Sequence, residues 1–387
     1  MAFRFAARGW DRTTLEKGDC PLFPWKKGTV PLFAATIAAT ICMAGPSAQT
    51  PAASGLQITR VFGPEVPTGK YKHPASITEL RNGDLYLVYY GGAGEYAMET
   101  SVFGARRKKG TSNWTAPQAI ARDPFRSLGN AVVWQAPDDL VWLFYVVRFG
   151  ETWSTSRIQA KVSRDGAETW SDSFMISLDE GMMVRNRPIV LMNGDYLLPV
   201  YHETGHDTEM VGPDSTSLFL RYDLKAKHWI PTDHIRSRTG NIQPAVVQMN
   251  DKHLIAYCRR GGDYRPTKDG YIVRSESHDG GATWSEGINS TFPNPNSAIE
   301  FLKLRSGALL LVFNDSMSQR TPLTAALSTD GDKSYPFRRN LVEGRNSFAY
   351  PIGFQAADGL VHIVYTSDQR TVINHAVFSE DWVKAQP

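Results

Sequence analysis

The sequence contains little cysteine and little net charge. Of its three cysteines, Cys20 and Cys42 lie in an N-terminal segment that we expect to be removed, so the mature chain keeps only Cys258 and cannot form an internal disulfide. The formal net charge of +3 over 387 residues gives no reason to expect a nucleic acid partner or a membrane surface. No glycine-rich phosphate loop leads into a helix, and no cofactor is expected.

The N-terminus differs from the rest of the chain. Lys26 and Lys27 precede an apolar run from Val30 to Ala44, which is followed by a stretch rich in proline, alanine and serine. A basic flank, a short apolar core and small residues predict a secretory signal over residues 1–48, with a linker over residues 49–55. The apolar run is short for a transmembrane helix. We therefore expect a secreted or periplasmic protein with no membrane span after cleavage.

A short turn motif recurs along the chain. Residues 277–284 read S-H-D-G-G-A-T-W, residues 163–170 read S-R-D-G-A-E-T-W, and residues 328–335 form a degraded third copy. The aspartate of such a motif bonds its own backbone, the glycine accepts a positive φ, and the tryptophan is large enough to fill a core. A turn that recurs at a fixed period predicts a repeat architecture.

Two sequence markers recur six times at one period. A glycine or aspartate turn that leads into an apolar strand recurs at steps of 52 to 57 residues, at Gly83, Asp139, Gly194, Asp251, Gly307 and Gly359. A large aromatic residue recurs at steps of 47 to 59 residues, at Trp114, Trp170, Trp229, Trp284, Tyr335 and Trp382. Repeats of about this length, built from four short strands, are typical of propeller blades. The sequence predicts an all-β protein, a six-bladed β-propeller over residues 56–387.

A further strand precedes each of these turns and suits the innermost position of a blade. Its first residue is polar in all six copies, which are His73, Asn130, Arg187, Gln243, Asn296 and Tyr350. We expect these side chains to surround one mouth of the central channel. Polar side chains that converge at the axis are the default candidate for a ligand site.

The turn motifs, the six-fold period and several local strings resemble the sialidase (neuraminidase) superfamily, specifically the bacterial sialidase-like proteins with BNR repeats. The resemblance covers about residues 71–365. It implies three arginines that hold a substrate carboxylate by bidentate hydrogen bonds, a tyrosine nucleophile activated by a glutamate, and an aspartate acid/base. Arg259 matches the second arginine, Arg320 resembles the third, and Tyr350 resembles the nucleophile.

Three positions depart from the family pattern. Lys72 stands where the first arginine is expected, and it keeps the charge without the planar fork. Gln243 stands at or near the position of the glutamate, and an amide cannot deprotonate a tyrosine. The aspartate loop has no clean match, so Glu95 and Glu99 are the nearest candidates for the acid/base.

Other polar residues can fill these gaps. Arg187 is a candidate for the missing arginine, and His202 with Glu203 for a proton donor and its orienting partner. His73 is another candidate for proton transfer. Further candidate substrate contacts are Arg260, Asn296 and Asp315. His202 and Glu203 point to opposite faces of a strand and no third ligand stands at zinc spacing, so no metal site is predicted.

Three functions remain open from the sequence. The first is an exo-sialidase-like hydrolase acting on a carboxylate-bearing terminal sugar of an acidic glycan, in which Tyr350 attacks the anomeric carbon or stabilises its positive charge. The second is a polysaccharide lyase on uronic-acid glycans, in which an arginine neutralises the carboxylate and Tyr350 with His73 or His202 moves the α-proton. The third is a non-catalytic propeller that binds glycans, which the absence of a matching acid/base favours.

Overall fold

The computed structural model describes residues 55–206 and 210–385, which contain 25 β-strands, a 3₁₀ helix (Trp153–Thr155) and one short α-helix, α1 (Glu380–Lys384). The predicted signal segment (residues 1–48) and residues 49–54 of the predicted linker lie outside the described residues. In the part of the chain that is described, no helix combines the length and the apolar character needed to cross a membrane.

The strands form six antiparallel sheets, each of which is one blade. Blade 1 contains β2 (Tyr71–Glu79), β3 (Leu85–Gly92), β4 (Ser101–Arg107) and β5 (Gln118–Ala121). Blade 2 contains β6 (Leu128–Gln135), β7 (Val141–Arg148), β8 (Ser156–Ser163) and β9 (Phe174–Ser177). Blade 3 contains β10 (Met182–Val184), β11 (Ile189–Val190), β12 (Tyr196–His202), β13 (Thr216–Asp223) and β14 (His228–Pro231).

The second half of the chain continues the pattern. Blade 4 contains β15 (Asn241–Gln248), β16 (Leu254–Arg260), β17 (Tyr271–Ser277) and β18 (Ile288–Pro293). Blade 5 contains β19 (Glu300–Lys303), β20 (Leu309–Asn314), β21 (Leu323–Ser328) and β22 (Phe337–Val342). Blade 6 contains β23 (Ala349–Gln355), β24 (Val361–Ser367), β25 (Val372–Phe378) and, as its outermost strand, β1 (Gln57–Phe62). The predicted all-β, six-bladed propeller is confirmed.

The recurring turn motif joins the third strand of a blade to the fourth and fastens neighbouring blades. In blade 4, the Asp279 carboxylate accepts hydrogen bonds from the backbone of Ala282 and Thr283 and from the Thr283 hydroxyl at 2.6–3.1 Å. The Trp284 ring then stacks on Phe219 of blade 3, with ring centroids 4.6 Å apart. Burying aromatic surface between two blades stabilises the ring of blades, so the motif has a structural role.

Several inner strands carry a bulge close to their first residues. The pairing register shifts in blades 1, 2, 4 and 6 over residues 72–75, 129–132, 242–245 and 349–352. Left-handed backbone, with φ between 43° and 58°, occurs near the inner-strand start in four blades, at Asn130, Gln243, Asn296 and Tyr350. Bulges re-aim side chains and are frequent beside active sites. Here the bulges bring polar residues together at one end of the axis.

Candidate active site

A cavity opens where the inner strands begin. Its walls come from the inner strands and from the loops that follow the second strands of the blades. The lining residues are Glu95, Asn130, Trp153, Met183, Tyr201, Glu203, Val211, Ile242, Gln243, Arg259, Tyr264, Tyr350 and Arg370. Charged groups of both signs therefore share one partly enclosed space, which is the arrangement expected of a catalytic site.

Tyr350 lines this cavity and is contacted by two of its other residues. Its Oη accepts hydrogen bonds from Arg259 Nη1 at 2.9 Å and from Gln243 Nε2 at 3.4 Å. Arg259 Nη1 also donates to Gln243 Oε1 at 3.3 Å, which orients the amide so that its NH₂ group faces the phenol. Two donors directed at one phenol oxygen favour the phenolate over the phenol.

Positive charge surrounds the same tyrosine. The guanidinium carbons of Arg185, Arg259 and Arg320 lie 5.1, 5.9 and 5.5 Å from the centroid of the Tyr350 ring. Burial disfavours the phenolate, but the charges of Arg259, Arg320 and Arg370 outweigh it and lower the pKa of Tyr350 below its usual value. A phenol of lowered pKa is a better nucleophile at neutral pH, even without a carboxylate beside it.

Asn296 holds two of the arginines in place. Its Oδ1 accepts a hydrogen bond from Arg259 Nε at 2.6 Å, and its backbone oxygen accepts one from Arg320 Nη2 at 3.2 Å. Its own Nδ2 donates to the Gly262 carbonyl at 2.7 Å. The structure therefore places Asn296 behind the arginines, where it fixes their orientation and has both ends of its amide occupied.

Arg370 completes the group of cations, and the sequence did not identify it. It forms an ion pair with Glu95, whose Oε2 also accepts a hydrogen bond from Tyr71 Oη at 2.9 Å. Arg370 lies in the loop after the second strand of blade 6, and Arg320 and Glu95 lie in the corresponding loops of blades 5 and 1. Because Arg370 occupies the same position in the repeat as Arg320 and Glu95, an alignment of the six repeats could have identified it as a candidate site residue.

Glu203 is the second carboxyl group of the cavity. It follows the last residue of β12, and its backbone N–H donates to the Gly181 carbonyl at 2.9 Å. Burial raises the pKa of the Glu203 carboxyl to about 7, with Arg259 opposing this effect and Glu95 adding to it. A carboxyl group that is half protonated near neutral pH can both donate and accept a proton.

Two buried side chains pack directly against the Tyr350 ring. Arg185 Nη2 donates to the Tyr350 carbonyl at 2.6 Å, and the ring centroid of His73 lies 4.2 Å from that of Tyr350 in an edge-on contact. His73 Nδ1 lies 2.6 Å from Thr366 Oγ1, and its Nε2 has no hydrogen-bond partner. Burial, together with the nearby arginines, lowers the pKa of His73 well below its usual value, so the imidazole is neutral.

Two of the predicted cationic contacts lie away from the cavity. Lys72 is fully buried, and its ammonium donates to the carbonyl oxygens of Val66 and Gly69. Arg187 faces the other end of the axis, with its guanidinium carbon 5.5 Å from the centroid of the Phe354 ring. The inner strand of blade 3 is interrupted between β10 and β11, and Arg185, which lies in this interruption, reaches Tyr350 in its place.

The structure also separates two predicted proton-transfer residues from the cavity. Glu99 is exposed, and its carboxylate accepts the Ala93 N–H at 3.0 Å. His202 lines a different groove together with His234, whereas the next residue, Glu203, lines the cavity. Successive residues of a strand face opposite sides, so the two members of the predicted pair cannot act on one substrate atom.

Two further predicted contacts are engaged in structural interactions. The Arg260 guanidinium donates to three backbone carbonyls, those of Asn294, Gly261 and Arg265, at 2.7–3.0 Å. Asp315 forms an ion pair of 3.7 Å with Arg338. Of the sequence-derived set, the structure brings Tyr350, Gln243, Arg259, Glu95 and Glu203 to the cavity, with His73, Asn296 and Arg320 packed against them.

Comparison with known proteins gives the chain a family. A search of curated proteins finds no match. Among solved structures, the Hadza microbial sialidase Hz136 superposes with a TM-score of 0.71 and 16% identity, covering 84% of this chain and 69% of the sialidase. The intramolecular trans-sialidase of Ruminococcus gnavus, solved with oseltamivir carboxylate, gives 0.68 and 14%, covering 85% and 98% of the two chains.

A third sialidase structure superposes less closely. The Trypanosoma rangeli sialidase in complex with sialic acid superposes with a TM-score of 0.62 and 12% identity, covering 84% of this chain and 59% of that enzyme. At these identities the superpositions show a shared fold. The BNR repeat-like domain family matches residues 83–363, which is most of the chain. This protein therefore belongs to the BNR repeat-like domain family, and it shares the fold of the sialidases named above.

Proposed function

We propose that this protein is an exo-sialidase-like glycoside hydrolase that removes a carboxylate-bearing terminal sugar from an acidic glycan. The observation that carries the proposal is the convergence of Arg259, Arg320 and Arg370 around the hydroxyl of Tyr350. The same cavity holds two carboxyl groups. It therefore offers cations for the substrate carboxylate, a nucleophile and a proton donor within one site.

The arginines would bind the carboxylate of the sugar. A guanidinium matches a carboxylate with two parallel hydrogen bonds, and these charge-assisted bonds are stronger than neutral ones. Arg259 and Arg320 are fixed through Asn296, and Arg370 is fixed through Glu95. Cations that are held in position before the substrate arrives bind it with little loss of side-chain entropy.

Tyr350 and Glu203 would carry out the chemistry. Tyr350 Oη forms a bond to the anomeric carbon while the glycosidic C–O bond breaks, and Glu203 gives its proton to the leaving oxygen. In the second step Glu203, now a carboxylate, takes a proton from water, which attacks the anomeric carbon and releases Tyr350. Because Gln243 cannot act as a base, the arginines take over the activation of Tyr350.

One observation favours a lyase as the second candidate. His73 is neutral, its Nε2 is unpartnered, and its ring touches that of Tyr350. In a lyase on a uronic-acid glycan, the arginines would neutralise the sugar carboxylate and make the α-proton more acidic. Tyr350, as a phenolate, would then take that proton and pass it to the leaving oxygen as the glycosidic bond breaks. This route needs no glutamate at position 243.

One assay separates the candidates. The mature protein is incubated with sialosides and, in parallel, with uronic-acid polysaccharides. Release of free sialic acid is expected and supports the hydrolase, whereas new ultraviolet absorbance from an unsaturated uronate supports the lyase. Measurable glycan binding with neither product would contradict both enzymes and leave a binding protein. We also propose that the protein is exported, which the signal sequence predicted over residues 1–48 supports.

Replacing Glu203 by glutamine tests its raised pKa without any substrate. An unperturbed glutamate has a pKa of 4.5 and Glu203 one of about 7, so folding loses stability as the pH rises from 4.5 through 7. Glu203→Gln removes the free-energy cost of ionising a buried carboxyl group. The difference in Tm between this variant and the wild type should therefore increase by roughly 5 °C, in favour of the variant, from pH 5 to pH 8.

The control for this experiment is Glu99→Gln, which changes an exposed carboxylate of a nearby loop. Its Tm difference from the wild type should not vary in this way. A pH-independent difference for Glu203→Gln, measured by scanning calorimetry, would show that Glu203 is ionised across the range and is not the acid. In activity, the kcat of the wild type should fall above pH 7 as Glu203 loses its proton, and this fall should be absent from the slower Glu203→Gln variant.

A further inference from the structure

Two histidines and a glutamate meet at the end of blade 4 that lies away from the cavity. His253 precedes β16, whereas Arg259, at the far end of that strand, lines the cavity. Six residue steps along a strand span about 20 Å, so this cluster cannot touch a ligand of the cavity. It is also the one described group in which three histidine, cysteine or carboxylate ligand atoms lie within 4.8 Å of one another.

The backbone of β16 and β17 brings the three side chains to one face. Leu254 pairs with Ser277, so the next positions outward, His253 and His278, stand opposite each other. Their rings lie parallel within 15°, with centroids 4.9 Å apart. Glu276 lies near the end of β17, two residues before His278, and its carboxylate faces both rings.

The separations fit donors around a shared ion. His253 Nε2 lies 3.6 Å from Glu276 Oε1, and His278 Nε2 lies 3.4 Å from Glu276 Oε2. A contact of 3.6 Å is too long for a hydrogen bond. Around tetrahedral zinc, with bonds of about 2.0–2.2 Å, neighbouring donor atoms are about 3.4 Å apart. Each histidine nitrogen therefore faces one oxygen of the Glu276 carboxylate at about the separation of two zinc ligands, and one donor atom from each of the three residues lies within 4.8 Å of the others.

The partners around the cluster leave His253 Nε2 and Glu276 Oε2 available, and the surrounding charges favour a further cation. His253 Nε2 is buried and has no hydrogen-bond partner. Arg274 occupies Glu276 Oε1 at 2.5 Å but is also bound at 2.8 Å to Asp332, a carboxylate that is almost fully buried. One guanidinium thus faces two carboxylates, and the net negative charge favours a second cation.

We propose that His253, Glu276 and His278 form a binding site for a divalent transition-metal ion of the zinc class. Two imidazole nitrogens and one carboxylate oxygen are ligands that zinc accepts, and the exposed side of His278 leaves a fourth position for water. The ion links the turn before β16 to the motif after β17. Its role is to stabilise this end of blade 4, and it takes no part in the chemistry of the cavity.

The test is zinc binding to the full chain after treatment with a chelator and desalting. Isothermal titration with zinc chloride at pH 7.5 should show one site per chain. Because partners beyond the direct ligands already change metal affinity by about 10–100-fold, losing a direct ligand in His253→Ala or His278→Ala should weaken binding at least about 10-fold. His228→Ala removes another exposed histidine, on β14, and should bind zinc like the wild type.

Further readouts make the result decisive. Zinc should raise the Tm of the wild type and of His228→Ala but not of the two ligand variants, whose Tm without zinc checks that they fold. Binding should weaken at pH 5.5, because an imidazole must be neutral to bind a metal. No stoichiometric binding by the wild type, or equal binding by both ligand variants, would overturn the proposal. Neither result depends on whether the cavity is that of a hydrolase.

Discussion

Tyr350→Phe is expected to lower kcat by roughly 10³-fold or more, because it removes the oxygen that would attack the sugar or take its α-proton. The phenyl ring stays, with its contacts to His73 and to the guanidinium groups, so the variant should fold. Steady-state kinetics on the substrate found in the assay above gives the measurement. KM should change little, since the arginines that bind the carboxylate remain.

The control for this variant is Tyr222→Phe, which removes a phenol hydroxyl in blade 3 that lies outside the cavity. It should retain wild-type activity. Full activity of Tyr350→Phe would contradict both the hydrolase and the lyase mechanism. Mass spectrometry after a rapid acid quench then separates the two, because the hydrolase passes through a sugar bound to Tyr350 and the lyase does not.

Arg259→Lys is the second change with a large expected effect. Lysine keeps the positive charge but loses the planar pair of donors that fits a carboxylate. Arg259 also donates to Tyr350 Oη and is held by Asn296, and an ammonium cannot reproduce both contacts. With hydrogen bonds to charged groups worth about 1.5–3 kcal/mol, kcat/KM should fall by roughly 10- to 100-fold.

A substrate analogue shows whether this loss comes from the carboxylate. On a methyl ester of the same sugar, the wild type should already be poor, and Arg259→Lys should differ from it much less than on the free acid. Arg338→Lys, at an ion pair on blade 5, is the matched control and should behave like the wild type on both compounds. An equal loss on acid and ester would mean that Arg259 acts through Tyr350 alone.

The repeat architecture was readable from the sequence because its signals are local. The Asp-Gly turn motif of residues 277–284 makes the same hydrogen bonds in blades 2, 4 and 5, and the period of the turns and aromatic residues along the chain counts the blades. The alternation of a strand likewise separates His202 from Glu203. These features depend on residues a few positions apart, so a pattern in the chain can report them.

The candidate site was less readable because long-range contacts decide it. Arg185 rather than Arg187 reaches Tyr350, since the inner strand of blade 3 is interrupted. The Lys72 ammonium donates to carbonyl oxygens of the loop before β2, and Arg370 of blade 6 extends to Glu95 of blade 1. Loop lengths and bulges set which of several nearby arginines enters the cavity, and a position in the repeat does not reveal them.

Ring closure makes the candidate site depend on a strand that contributes no residue to it. β1 pairs only with β25. The first described strand therefore cannot enter its sheet until the last described strand has been synthesised. Until β25 emerges, blade 6 is incomplete, and such distant pairings form late in folding. Blades 6 and 1 meet where the Lys72 N–H donates to the Arg370 carbonyl. We expect proteolytic removal of β1 to destabilise blade 6. The loop of blade 6 that carries Arg370 would then no longer be held in place, and the ion pair between Arg370 and Glu95 would be lost.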